Sequence, residues 1–449
     1  MNMTVKVMTT RIQLGQLVCC VLIAVAGLDG VVAIADDAPN LAQATAWFSE
    51  IEQLCRADGG QLWGVSLAGP VMIVEPQTRA VFANQADTEG VLHPDGKLFV
   101  GTLPPNVPIA NTAQKWAGVH WTQLMWPLPE EEDSRHVLVM HESWHRVQEQ
   151  IGLPASNPSN GHLNTFDGRL WLQLEWRALE RALRAEEDES GKVAIEDALL
   201  FRRERHRLAP EAAGQERALE AAEGLAEYTG VRLSGMSAKQ QRAYVAKQFV
   251  TLPAQLSTFN RSFAYLTGPA YGLLLDATGQ PWRKGLTAQD DLGQRLQERM
   301  QMALPDVSAE ELTRRAEQYD GVALRQSETE RETARRARHA AWQKQFCEDA
   351  VLQLPLDKIQ LTFDPRNVEA VGELGTYYPT ITISDRWGKL TVTQGALVTA
   401  DFKSVIVTAP ADPHAVPLSG VGWSLELNSS WTVGDGDRPD SFRAVPRVK

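Results

Sequence analysis

Leu138-Val139-Met140-His141-Glu142-Ser143-Trp144-His145 is the stretch that decides how the rest of this chain is read. Its two histidines are four residues apart. On an α-helix that spacing puts both imidazoles on one face, one turn apart, where both reach a single ion. Arg135 to Ile151 reads as that helix. The three residues before His141 are apolar, as is Trp144, which suits a helix entering a core. Glu142 stands beside the first histidine and projects towards the same edge. A carboxylate there can take a proton from an ion-activated water and pass it to a leaving amine. Zn2+ is the ion this pattern implies. A chain with nine histidines carries it by chance with a frequency of about 1 in 100. The plain alternative is a helix with two surface histidines.

Two histidines leave the ion short of a ligand, since a catalytic zinc site takes three protein donors and keeps one position open. Two carboxylates downstream are candidates. Glu223 lies in Glu223-Gly224-Leu225-Ala226-Glu227-Tyr228, and Glu175 lies in Leu174-Glu175-Trp176-Arg177-Ala178-Leu179. Together the two motifs, H-E-x-x-H and E-G-L-A-E-Y, resemble those of gluzincin-type zinc metallopeptidases, especially the bacterial peptidase MA group and related aminopeptidases. The metzincin continuation is excluded, because Gln148 and Ile151 stand where it needs Gly and His. The resemblance implies Glu223 as third zinc ligand and Glu142 as general base. Gly224 and Ala226 are small enough to let their helix approach the His141–His145 helix. The chain departs from the group in two respects. Glu223 follows His145 by 78 residues, a longer gap than the group's, so the helices between form an insertion. Glu175 has the more ordinary spacing and the weaker local motif. Arg146 is a second, milder departure, where an uncharged residue is usual.

Other residues enter as helpers. Glu227, four residues after Glu223, shares its helix face; it either orients a ligand histidine or is a solvated charge. Tyr228, Tyr265 and Tyr271 are candidate donors to the oxyanion of a tetrahedral intermediate, with core packing as the plain alternative. His162 is a ligand, a transition-state donor, or a histidine on the surface loop from Asn157 to Asn164.

Outward from the motif, the chain reads as α+β. Asn40 to Cys55 has apolar residues at helical spacing. Gly64–Leu67, Val71–Val74 and Arg79–Ala83 are short β-prone runs, expected to form a small antiparallel sheet. Leu98–Val100 and Thr122–Trp126 are further strand candidates. Leu163 to Leu233 is helical, Ser237 to Gln240 is a capping box, Phe263 to Leu275 is apolar and buried, and Ser308 caps a long charged helix towards Leu352. Beyond Leu352 the texture alternates, as in Ile359–Phe363, Thr380–Ile383, Leu390–Val392, Ser404–Val407 and Trp423–Leu427. The expected organisation is a signal peptide over 1–35, a mainly helical zincin-like domain over 36–352, and a small all-β domain over 353–449.

The chain has 449 residues and a formal net charge of −12, which argues against a nucleic-acid partner. Lys6 and Arg11, then the apolar run Leu14–Ala26, then Ala33-Ile34-Ala35, read as an export signal. Its removal takes Lys6, Arg11 and Asp29 and leaves a charge of about −13. No other segment is long and apolar enough to cross a membrane. Cys55 and Cys347 remain; they pair in an oxidising compartment or stay as two buried thiols. The expectation is therefore an exported zinc peptidase, periplasmic or secreted, acting on a peptide or protein. A non-catalytic zinc-binding scaffold, or a surface-binding protein, is the alternative.

Overall fold

The computed structural model describes residues 40–185, 189–256, 258–363 and 368–447. The expected signal segment lies outside them. The architecture is α+β, with an N-terminal sheet, a helical centre and a C-terminal all-β part.

Helix α1 (Leu41–Asp58) starts where the Asn40 side chain accepts the Gln43 N–H at 2.7 Å and stops at Gly59, whose φ of 56° is left-handed. Strands β1 (Val71–Val74), β2 (Ala80–Ala83), β3 (His93–Asp95), β4 (Leu98–Thr102), β5 (Thr112–Trp116) and β6 (Val119–Met125) form one sheet in the order β3-β4-β2-β1-β6-β5. Every residue of β1 is buried. Val71 and Ile73 pack with Trp47, Phe48, Val139 and Met140 on one face; Met72 and Val74 pack with Val81 and Trp121 on the other. Burial on both faces explains an unbroken apolar run where a half-exposed strand would alternate. The sheet is mixed, not antiparallel, because β1 pairs with β6 in parallel. Gly64–Leu67, expected as a strand, lies outside the sheet. Arg146 anchors the stretch after it, donating to the carbonyls of Leu67 at 2.7 Å and Ala68 at 3.0 Å. A Cβ on Gly69 would fall 2.5 Å from the guanidinium carbon, so glycine makes room for that anchor. Arg146 thus has a packing role at the position where an uncharged residue is usual.

The helical centre begins with α2 (Glu132–Val147), capped by the Glu131 carboxylate and followed by a 3-10 turn over Gln148–Ile151. Then come α3 (Phe166–Arg184), α4 (Glu189–Leu208), α5 (Ala212–Leu219), a π turn (Glu220–Gly224), α6 (Leu225–Leu233), α7 (Ala238–Thr251), α8 (Ala264–Ala277), α9 (Leu292–Arg299), α10 (Ala309–Glu317) and α11 (Gly321–Gln343). The expected capping box of Ser237 and Gln240 starts α7. The expected single helix from Ser308 is two, α10 and α11, with left-handed Asp320 between them. Helices α5 and α6 and the π turn form one rod, since the residues joining them keep right-handed helical angles. Glycine lets that rod pack closely on both sides. A Cβ on Gly230 would lie 2.5 Å from the Val137 carbonyl of α2, and one on Gly268 of α8 would lie 2.2 Å from the Gly224 Cα. The contact with the histidine helix is therefore made at Gly230, six residues beyond Gly224, which instead abuts α8.

A second π turn (Lys344–Glu348) leads into the β part. Its strands are β7 (Val351–Pro355), β8 (Gln360–Phe363), β9 (Glu369–Ala370), β10 (Gly375–Tyr378), β11 (Ile381–Asp385), β12 (Gly388–Val392), β13 (Ala396–Thr399), β14 (Ser404–Thr408), β15 (Leu418–Gly420), β16 (Trp423–Leu427), β17 (Trp431–Asp435) and β18 (Phe442–Pro446). They make a seven-stranded sheet, β17-β18-β7-β14-β13-β10-β9, and a five-stranded one, β15-β16-β12-β11-β8. Leu352, Val405 and Val407 of the first share a core with Ile383, Leu390 and Leu425 of the second, so the two sheets form a sandwich. Strand β7 spans the boundary expected at residue 352. Trp342 of α11 stacks on Tyr377 with ring centroids 3.9 Å apart, tying the helical part to the sandwich.

Candidate metal centre

The α2 helix carries His141 and His145 on its buried face, as the four-residue spacing requires. The rod formed by α5, the π turn and α6 crosses that face and brings Glu223 to it. The two Nε2 atoms face each other at 3.0 Å, and Glu223 Oε2 lies 3.7 Å from the first and 3.6 Å from the second. The ligand atoms of these three residues all fall within 4.8 Å of one another.

The far side of each ring is also held. Glu227 Oε2 lies 2.8 Å from His141 Nδ1, and Gln148 Oε1 lies 2.9 Å from His145 Nδ1. Acceptors at Nδ1 put the ring proton there and leave the Nε2 lone pair aimed at the cluster. Two such lone pairs and a carboxylate, all little exposed, favour a cation between them. The electrostatics say the same. Burial works against a charged His141, yet Glu223 and Glu227 outweigh it and raise the group to about 10. Burial also pushes the Glu223 carboxyl upward, and the two imidazoles overcome that and hold it well below its usual range. The cluster could hold a metal ion, and His2Glu is a donor set that suits zinc.

Glu142 is buried beside the cluster, and its Oε2 has no hydrogen-bond partner. Burial raises its carboxyl above the usual range, against the pull of His141 and His145. The Tyr265 hydroxyl donates to Glu223 Oε2 at 2.5 Å, and its ring lies parallel to His141 with centroids 5.5 Å apart. Arg261, four residues before Tyr265, donates from Nη2 to Glu223 Oε1 at 2.9 Å.

The remaining candidates go elsewhere. Tyr228 follows Glu227 by one residue and so points about 100° away. Its hydroxyl donates to Asp276 Oδ2 at 2.7 Å and receives Arg283 Nη1 at 2.6 Å, and its ring packs on Trp63 and Trp282. That corrects its expected catalytic role. Glu175 is fully buried in a separate network. Arg205 Nη1 lies 2.6 Å from its Oε2, and Tyr271, the third tyrosine candidate, donates to its Oε1 at 2.6 Å. Both are thereby removed from the metal site. In the same network Arg205 forks onto Glu216 at 2.7 and 2.8 Å, and Arg202 reaches Glu220 Oε2 at 2.7 Å and Asp291 Oδ2 at 2.9 Å. His162 is buried, not on a surface loop, and its Nε2 sits 2.7 Å from Glu216 Oε1. Cys55 and Cys347 are both free thiols, and burial pushes Cys55 up to about 11.

Gln148 and Arg261 were missed as site residues. In the sequence Gln148 marks only the position where the metzincin pattern has glycine. Arg261 had one signal: it stands four residues before Tyr265, on the same side of a helical turn.

No protein-family model matches the chain, nor does any curated protein or solved structure.

Proposed function

We propose that the chain is an exported zinc-dependent peptidase of gluzincin-like type. The observation that supports this best is the convergence of His141, His145 and Glu223 beside a buried glutamate, Glu142, whose Oε2 has no partner. His141, His145 and Glu223 would hold the ion. When bound, zinc supplies Lewis-acid chemistry, polarising a carbonyl and making water a better acid.

The side chains divide the remaining work. Glu142 accepts the proton of the attacking water at its unpaired oxygen and returns it to the leaving amine. A carboxyl raised by burial is suited to both halves of that transfer. Tyr265, beside His141, would turn its one hydroxyl proton from Glu223 Oε2 to the oxygen that gains charge. Glu227 and Gln148 keep the two imidazoles turned, so that neither needs to reorganise.

Glu142→Gln keeps the shape and removes the base. The expected outcome is full zinc binding with peptidase activity lower by about 10²- to 10⁴-fold. Unchanged activity in that variant, or in protein stripped of all metal, refutes the proposal. Stoichiometric zinc with no turnover of any peptide library would support the scaffold alternative.

A further inference from the structure

We propose that Arg261 is a positioning residue: it fixes which oxygen of Glu223 faces the two histidines, so that the carboxylate offers one oxygen and keeps the other turned away. The proposal rests on reading the cluster as a metal site.

The two oxygens of a carboxylate are chemically equal, and the torsion that exchanges their positions is soft. Nothing in Glu223 itself selects one. The surroundings do. Oε2 lies 3.7 and 3.6 Å from the imidazole nitrogens and takes the Tyr265 hydroxyl. Oε1 is bound at 2.9 Å by Arg261. The Glu223 side chain is only 11% exposed, so little water competes for Oε1. A charge-assisted bond in that setting is among the stronger ones a side chain makes.

Arg261 is itself held. Its other nitrogen, Nη1, donates to Asn157 Oδ1. The backbone beside it is pinned where Asn160 Nδ2 donates to the Asn260 carbonyl at 3.0 Å. Asn160 is fully buried and adopts a left-handed φ of 45°, so the loop has one shape there. A guanidinium is a rigid fork and can grip Asn157 and Glu223 together. A lysine ammonium has the charge without the fork.

This arrangement has two opposed effects on a bound cation. A ligand carboxylate tied to an arginine shares its negative charge and holds a cation less tightly. Limiting that carboxylate to one oxygen keeps a coordination position free for water. Arg261 therefore trades affinity for an open position. Releasing Oε1 lets Glu223 turn both oxygens inward, so the ion binds as tightly or more tightly while turnover falls. A residue that merely supported the fold would lower both.

The experiment compares wild type with Arg261→Met, Arg261→Lys and Asn157→Ala. Asn157 is exposed, so its variant tests the same grip with little risk to folding. The readouts are zinc affinity by chelator competition, the visible spectrum of the Co2+ form, and kcat and KM on a peptide library. Expected for Arg261→Met are unchanged or tighter zinc binding, weaker Co2+ bands from a higher coordination number, kcat lower by about 10- to 100-fold, and KM within about twofold. Arg261→Lys recovers part of the kcat, and Asn157→Ala shifts the same quantities less. An unchanged spectrum and kcat overturn the proposal. So does a raised KM with an unchanged spectrum, which makes Arg261 a substrate contact. Weaker zinc binding together with a lower melting temperature makes it a structural residue, which also overturns it. A wild type that binds no metal fails the parent reading. Metal-dependent turnover in wild type, matched by the variants, fails this inference alone.

Discussion

One helical rod carries two buried acid clusters, and they are neutralised in different ways. At its start, Glu216 and Glu220 meet Arg202 and Arg205. At its end, Glu223 and Glu227 meet His141 and His145. The four-residue spacing is the same, while the first cluster is the more deeply buried. The cations differ: arginine stays charged whatever surrounds it, whereas an imidazole is charged only if it takes a proton. The first cluster draws its fixed charge from two arginines. The second has one fixed cation, Arg261 on Glu223 Oε1, and otherwise depends on the two imidazoles. One rod thus pairs its first acids mainly with arginines and its later ones mainly with histidines.

Three experiments break or sharpen that contrast, the largest effect first. Arg205→Met leaves Glu175 and Glu216 buried without their main partner, and the expected loss is about 3–5 kcal/mol in denaturant unfolding. His145→Ala should cost clearly less stability while abolishing zinc binding. Equal losses in the two variants would erase the distinction.

Zinc should act on the second cluster only. At about 100 times its dissociation constant it adds about 2.7 kcal/mol of stability, read as a rise in melting temperature that a chelator reverses. Glu142→Gln should keep that rise, and a protein lacking either histidine should lose it. No rise in wild type would leave the histidine cluster without its cation.

The smallest effect concerns protons. Arg202 and Arg205 face four carboxyls, Glu175, Glu216, Glu220 and Asp291, an excess of acid. Burial pushes Glu216 upward, but Arg205, with hydrogen bonds from His162 and His206, holds it well below the usual range. Glu220 takes the other course: burial raises it from 4.5 to about 7, against Arg202. A carboxyl raised in the folded state stabilises fully below its unfolded value and loses that contribution as pH rises through the folded one. Glu220→Gln cannot titrate. Its stability relative to wild type should therefore improve between pH 4.5 and about 7, by at most about 1.4 kcal/mol per pH unit. A pH-independent difference would show that Glu220 is ionised throughout.

Much of this was legible in the sequence where spacing alone carries the geometry. The four-residue interval fixes the faces of His141 and His145, and again of Glu223 and Glu227, whatever the rest of the chain does. The interval cannot say what lies opposite. Glu175 and Glu223 are both buried helical glutamates, and only the arginine at 205 and the histidines at 141 and 145 tell them apart. Arg261 shows only its spacing to Tyr265 for the same reason, since its meaning is a contact with a residue 38 positions away. In the sheet, apolar runs located β1 and β6, but their parallel pairing depends on a long connection through β2 to β5 that no local pattern encodes. The helix expected to run to Leu352 shows the converse error: a charged face persisted past the point where the left-handed Asp320 breaks the rod.

The π turn at Glu220–Gly224 has a consequence for how this site can change over generations. There the Leu225 N–H reaches back to Glu220, one residue further than an α-helix allows. Each residue of a regular helix turns the chain by about 100°. The π turn absorbs one such residue, so loss of one there would let it close into an α turn and leave Glu227 facing His141. The same loss at Leu225 or Ala226, in regular helix, would swing Glu227 away from His141 with its identity intact. The rod thus tolerates a change of chain length in one turn and not in the next.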